Sequence, residues 1–115
     1  MHELSIMSGI LDIVLEHANK NNAKKVMKVN LRIGYLSDII PEWAQTYFDM
    51  LSKDTIADGA LLDIERVPVK IRCRACGRDH TFPGKEWGFA CPHCGSSDIE
   101  LLEGREFSVT SIEIN

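Results

Sequence analysis

Long apolar runs are missing from this sequence. No stretch approaches the roughly 20 consecutive apolar residues that cross a bilayer, which excludes a helical membrane span. A basic excess is missing too. Lysine and arginine number 13 against 17 aspartates and glutamates, for a net charge of -4, so the clustered cations that hold nucleic acid or an anionic membrane surface are not there. The opening "MHELSIMSGILDIVL" carries Glu3 and Asp12, with no basic start and no small-residue cleavage site, so no secretion signal is expected. The expected compartment is the cytoplasm, where thiols stay reduced and cysteines signify metal or catalysis more than disulfides. No Ser/His/Asp set and no phosphate loop appears, which argues against an enzyme. Prolines number only 4, and 44% hydrophobic with 26% charged residues fits an ordered globular chain. A length of 115 residues allows one core and at most a small appendage.

Within those bounds the apolar pattern is informative. Met7, Ile10, Leu11, Val14 and Ala18 recur at helical spacing and predict a first helix, which stops in "NKNNAKK". "MKVNLRI" alternates Met27, Val29, Leu31 and Ile33 with polar residues, predicting a half-buried strand. Pro41 suits the first turn of a second helix, whose apolar positions are Ile40, Trp43, Ala44, Tyr47, Phe48 and Leu51. "ALLDIERVPVKI" reads as a strand whose apolar residues change parity, reconciled by a bulge near Glu65 and Arg66. The closing "FSVTSIEI" changes parity in the same way. That shared change suggests that these two strands pair, making the segment between Arg72 and Gly104 an insertion. The expected fold is α+β: a two-helix, three-stranded domain over 1–71 and 105–115, with a zinc ribbon inserted at 72–104.

All four cysteines fall in that insertion. Cys73 and Cys76 form one C-x-x-C and Cys91 and Cys94 the other, each pair followed by a glycine. Fourteen residues separate the pairs, just short of the usual zinc spacing of about 15 to 20. Gly77 and Gly95 suit the positive φ that a tight thiolate turn requires. Four converging thiolates make a closed structural Zn²⁺ site, with iron the next reading; a redox dithiol needs only one such pair, and disulfides conflict with the compartment. The insertion holds few large apolar residues (Phe82, Trp87, Phe89 and Ile99, besides its closing Leu-Leu pair), so it needs such a staple, and zinc supplies about 10 kcal/mol or more to modules of this kind. His80 and His93 flank the pairs as candidate modulators of the zinc site. A saturated four-thiolate site leaves them no vacancy and makes exposure the plainer expectation for both.

Zinc ribbons often read nucleic acid, so a second reading is an adaptor in a nucleic-acid machine. From Arg72 to Ser97 four cations face two carboxylates, and Zn²⁺ with four thiolates adds two negative charges, leaving the ribbon near neutral. The other unusual feature is His2. The free amine of Met1, the His2 amide nitrogen and imidazole, and the Glu3 amide nitrogen form a tetragonal donor set suited to Ni²⁺ or Cu²⁺. The bulk of His2 favours retention of Met1, which keeps the chelate intact.

From "MHE" through "VNLRIGYLS", "PEWAQTYFDML" and the paired C-x-x-C to "SIEI", the chain resembles the HypA/HybF-type nickel metallochaperones, which help insert nickel into nickel–iron hydrogenases and, in some bacteria, urease. The resemblance implies nickel as transported cargo at Met1, His2 and Glu3, and structural Zn(II) on Cys73, Cys76, Cys91 and Cys94. It also implies a HypB-type GTPase, the hydrogenase large-subunit precursor and urease maturation proteins as partners. In some relatives histidines beside the cysteine pairs are linked to zinc-site changes; here the match is inexact, because His80 stands four residues after Cys76 and His93 lies inside the second knuckle.

Overall fold

The computed structural model describes residues 2–37, 41–82 and 90–115, with His2 described by its backbone only. In chain order the elements are α1 (His2–Lys20), β1 (Val26–Gly34), α2 (Pro41–Ser52), β2 (Leu61–Val67), β3 (Val69–Cys73), β4 (Asp79–Phe82), β5 (Ile99–Glu103) and β6 (Phe107–Ile114). They build two three-stranded sheets, ordered β2-β1-β6 and β4-β3-β5. Compact unit one comprises Met1–Leu31, Asp38–Glu65 and Ser108–Asn115; unit two comprises Arg32–Ser37 and Arg66–Phe107. Among the described residues no helix is long and apolar enough to cross a membrane.

In unit one the expected face of α1 is the buried one: Met7, Ile10, Leu11, Val14 and Ala18 all lie in the core. Glu3 in its first turn, with His17 and Lys20 in its last, complements the helix dipole. Its end is a Schellman turn: Asn22 adopts φ 53° and donates to the Asn19 carbonyl at 3.2 Å, and Ala23 donates to the Ala18 carbonyl at 3.0 Å. The polar cluster thus ends the helix by capping it. In α2, Ala44, Phe48 and Ser52 are buried at four-residue spacing, while Trp43 and Met50 face outward. The expectation that Trp43 joins the core is corrected: the apolar stripe is wider than the seam α2 presents to the protein, and Phe48 one step round fills it. Ile40 lies outside the described residues. The Gln45 side chain ties α2 to the start of β2, donating to the Ala60 carbonyl at 3.1 Å and accepting from the Leu62 amide at 2.8 Å.

β1 is the central strand of the first sheet. Gly34 N–H donates to the Glu106 carbonyl and Asn115 N–H to the Lys25 carbonyl, so β6 runs antiparallel to β1. Val26 N–H bonds the Ile56 carbonyl and Tyr35 N–H the Val67 carbonyl, so β2 runs parallel to it and α2 is the crossover. The expected pairing of the strand around 62–71 with that around 107–114 is therefore corrected. Both meet β1 instead, on opposite edges, which satisfies their bonding as fully as mutual pairing does. Val29, Leu31 and Ile33 are buried as expected, but Met27 is 49% exposed and Val26 takes its place, because the strict alternation begins only at Val29.

The parity change in "ALLDIERVPVKI" also has a different cause. Pro68, which has no N–H to give a ladder, separates β2 from β3, and the two strands belong to different sheets. In unit two β3 pairs antiparallel with β4 (Ile71↔His80, Arg72↔Asp79) and with β5 (Ile71↔Leu101, Cys73↔Ile99). The irregularity lies between Lys70 and Ile71 and not at Glu65 and Arg66. Val69, Ile71 and Cys73 form the buried face of β3.

Candidate metal centre

β3 delivers Cys73 into the first of two matching turns. Cys73 N–H donates to the Arg78 carbonyl at 2.8 Å, and Gly77 N–H returns to the Cys73 carbonyl at 2.8 Å. The second turn repeats this, Cys91 N–H to the Ser96 carbonyl and Gly95 N–H to the Cys91 carbonyl, each at 2.8 Å. Gly77 and Gly95 sit at φ 75° and 78°, the left-handed backbone that their place after each C-x-x-C led one to expect. Each turn aims two thiols at a common point.

The four sulfurs lie within 4.8 Å of one another, with Cys73 Sγ 3.5 Å from Cys94 Sγ and Cys76 Sγ 3.8 Å from Cys91 Sγ. A tetrahedron with Zn–S bonds of about 2.3 Å has edges of about 3.8 Å, so the donor set fits structural zinc. Cys73 and Cys91 are buried, Cys76 is half-buried and Cys94 exposed. The thiols are electrostatically unequal. Burial pushes Cys91 up, yet the amides of Cys94 and His93 and the bonds from the Cys94 and Cys76 thiols outweigh it and bring it down to about 6. Cys94 goes the other way: the Ser96 amide lowers it, but the Cys73 thiol, burial and the Cys91 and Cys76 thiols carry it up to about 11. A dication at the centre favours the thiolate form of all four.

His80, on β4, is half-buried, and its Nε2 lies 3.4 Å from Cys91 Sγ. His93 is exposed, with Nδ1 3.4 Å from Arg78 Nη1 across the two turns. Two further ion pairs lock the ribbon. Arg72 Nε meets Asp79 Oδ1 at 2.9 Å between paired positions of β3 and β4, and Arg74 Nη1 meets Asp98 Oδ1 at 3.1 Å. Sequence reasoning missed both. Opposite charges seven residues apart around a knuckle signal the first, whereas nothing local signals a pair 24 residues apart. Trp87, Phe89, Lys85 and Glu86 lie outside the described residues.

At the other end of the chain, α1 begins at His2, and Glu3 is half-buried in its first turn. The Glu3 Oε2 atom is shielded and has no hydrogen-bond partner among the described residues. Met1 and the His2 side chain lie outside the described residues. Among the described residues the four cysteines are the one cluster of three or more His, Cys, Asp or Glu ligand atoms close enough to share an ion.

With this geometry in hand, comparison with known proteins is informative. A family model described as HypA, hydrogenase/urease nickel incorporation, metallochaperone, matches residues 1–114. The hydrogenase maturation factor HypA of Dehalococcoides mccartyi is 40% identical over 115 residues, covering 100% of this chain and 95% of that protein. Its counterpart in Caldanaerobacter subterraneus subsp. tengcongensis is 39% identical, covering 99% of each. Among solved structures, the Ni metallochaperone HypA from Helicobacter pylori aligns over 97% of this chain and 96% of its own, with a TM-score of 0.66 at 26% identity. A solution structure of a HypA protein aligns over 100% and 97%, with a TM-score of 0.73 at 28% identity.

Proposed function

The chain belongs to the HypA family of hydrogenase and urease nickel-incorporation metallochaperones, and from that membership we propose that it binds Ni(II) at its amino terminus and passes the ion on by ligand exchange. A member of this family is a maturation factor and not an enzyme, and a four-thiolate structural zinc site is consistent with that role because it leaves no open position for chemistry.

The observation that carries the nickel reading is where α1 starts. With His2 as its first residue, the amides of His2 and Glu3 fall in the first turn, where N–H groups have no intrahelical acceptor. Those nitrogens are free to join the Met1 amine and the His2 imidazole around one ion, in the nitrogen-rich set that Ni²⁺ favours. The amine, with an ordinary pKa near 8, gives up its proton readily. Copper binds such donors more tightly than nickel, so selectivity comes from supply and partners. An exposed terminal site of this kind lets an acceptor's ligands displace the donors one by one.

In this reading residues 1–71 and 105–115 carry nickel, and 72–104 form the zinc ribbon, a rigid platform for protein contacts. Zinc is held by Cys73, Cys76, Cys91 and Cys94, with His80 and His93 modulating it from outside the ligand set. The partners are a HypB-type GTPase and the hydrogenase large-subunit precursor, with urease maturation proteins where the client is urease, and the compartment is the cytoplasm.

The test is a nickel titration of the untagged, zinc-loaded chain, with elemental analysis before and after. One retained zinc and one exchangeable nickel per chain are expected. His2→Ala removes nickel binding and leaves zinc unchanged, because the two sites share no ligand. Undiminished nickel binding by that variant overturns the reading.

A further inference from the structure

The sheet order leaves β6 as an edge strand, with one side of its backbone bonding β1 and the other side unpaired. Natural edges are blunted by lysine, proline, bulges or inward charges. β6 has little of this protection. From Phe107 to Ile112 it carries no charge, no proline and no glycine, and Glu113 is engaged with Lys28 of β1 at 3.7 Å. Such an edge is a template for another strand.

The helix layer points to the same vacancy. Ile13, His17 and Asn21, from α1 and the turn after it, line a groove of about 250 Å³ with Val109, Thr110, Ser111 and Ile112 of β6. Ile13 is 42% exposed there, and Ile114 at the end of the strand is 39% exposed. A strand added beside β6 would place alternate side chains into this groove while its main chain took up the unpaired amides and carbonyls.

We infer that β6 pairs antiparallel with β6 of a second copy of this chain, joining two three-stranded sheets into one. The strand is complementary to itself about a two-fold axis between Thr110 and Ser111. In that register Ser111 faces Thr110, Ile112 faces Val109, Glu113 faces Ser108 and Ile114 faces Phe107 of the other copy. No like charges meet, and β-branched and hydroxyl pairs of this kind stabilise cross-strand contacts. Such an interface is isologous and closed, so it stops at the dimer.

The experiment is sedimentation of the untagged, zinc-loaded chain over a wide concentration range, with amide exchange read on residues 107–113. The wild type is expected to dimerise reversibly, with protection of these amides rising with concentration. Thr110→Lys places two like charges beside the axis, and Ile13→Glu charges the groove without touching β6. Each is expected to weaken the dimer by roughly tenfold or more while far-ultraviolet dichroism stays that of the folded chain. A wild type that stays monomeric at its highest soluble concentration overturns the inference, and so does a dimer that neither variant weakens. A strand from a different protein occupying β6 of a monomeric chain also overturns it.

Discussion

Gly34, the last residue of β1, lies so close to the backbone of Gly104 that a Cβ added at Gly34 would land on the Gly104 carbonyl. Neighbouring backbone bonds fix the approach. Gly34 N–H donates to the Glu106 carbonyl and Leu36 N–H to the Gly104 carbonyl, each at 2.8 Å. The obstacle is backbone and not a side chain that can swing away. Gly34→Ala is therefore expected to lose about 3 kcal/mol, the upper end for overpacking, in urea denaturation of the zinc-loaded chain. Gly9→Ala, at an open position on α1, should gain about 0.5–1 kcal/mol through helix propensity. Equal effects of the two substitutions would show that the close approach does not matter.

The zinc ligands make a sharper expectation. Cys73→Ser or Cys91→Ser removes one of the two buried thiolates, and with it much of the 10 kcal/mol or more by which such a metal holds its module folded. Zinc content by elemental analysis should fall well below one per chain. Tertiary order in β3, β4 and β5 should go with it, while the dichroism of α1 and α2 persists. Full zinc retention in both variants would exclude this ligand set.

How far the sequence foretells this structure depends on how local each cause is. The cysteine turns were legible because spacing, glycine and ligand chemistry all act within a few residues, and Gly77 and Gly95 took up the backbone their position demanded. α1 was legible because one clean apolar face has one destination. Trp43 was misplaced because α2 carries apolar residues round more of its surface than it buries, and only tertiary packing chooses Phe48 and Ala44. The place of β1 between β2 and β6 rests on partners far apart in sequence, which periodicity does not record. Pro68 was a local signal that a strand must end; read as such, it accounts for the parity change without a bulge. His80 against Cys91 follows from the register of β3 and β4, which no spacing rule contains.

That last contact gives a third expectation. A zinc-bound thiolate only accepts, so His80 Nε2–H donates to Cys91 Sγ and steadies a ligand from outside the ligand set. Loss of such an outer partner typically costs 10–100-fold in metal affinity. His80→Ala should therefore yield zinc to a competing chelator at roughly tenfold lower chelator concentration, with one zinc per chain still bound at the outset. His93→Ala, on an exposed residue turned to Arg78, should shift the competition curve far less. Identical curves for His80→Ala and wild type would leave Cys91 without a supporting bond.

Lys28 of β1 reaches Asp63 Oδ2 of β2 at 3.1 Å and Glu113 Oε2 of β6 at 3.7 Å. The bond to Asp63, then the charges of Asp63 and Glu113, raise its pKa above the ordinary 10.5. A group whose folded pKa is raised gives its full stabilisation below its unfolded pKa and loses it as pH climbs through the folded value. Lys28→Gln should thus be slightly less stable than wild type at neutral pH, by the small amount that exposed pairs contribute. The gap should narrow only above pH 10.5. Chemical denaturation of both proteins across neutral and alkaline pH checks this, and a gap that closes below pH 9 would assign it to another group.

The proposed nickel site depends on the covalent state of the first residue, which few metal sites do. The His2 imidazole survives almost any change upstream of it, but the Met1 amine does not. Acetylating that amine, or adding a short extension before Met1, converts a strong donor into an amide nitrogen that must lose a far more tightly held proton before it binds a metal. Every side chain remains, the first-turn amides of α1 remain, and zinc on the four cysteines is untouched. Nickel affinity should nevertheless fall by well over tenfold in an equilibrium titration, and the absorption spectrum of the native nickel form should show nitrogen and oxygen donors with no thiolate charge transfer. His2→Ala and the extended protein should then fail alike, each lacking one arm of the same chelate. If the extended protein binds nickel as tightly as the native one, the amine is not a ligand. In that case His2 acts with side chains elsewhere in the chain, or another site holds the ion.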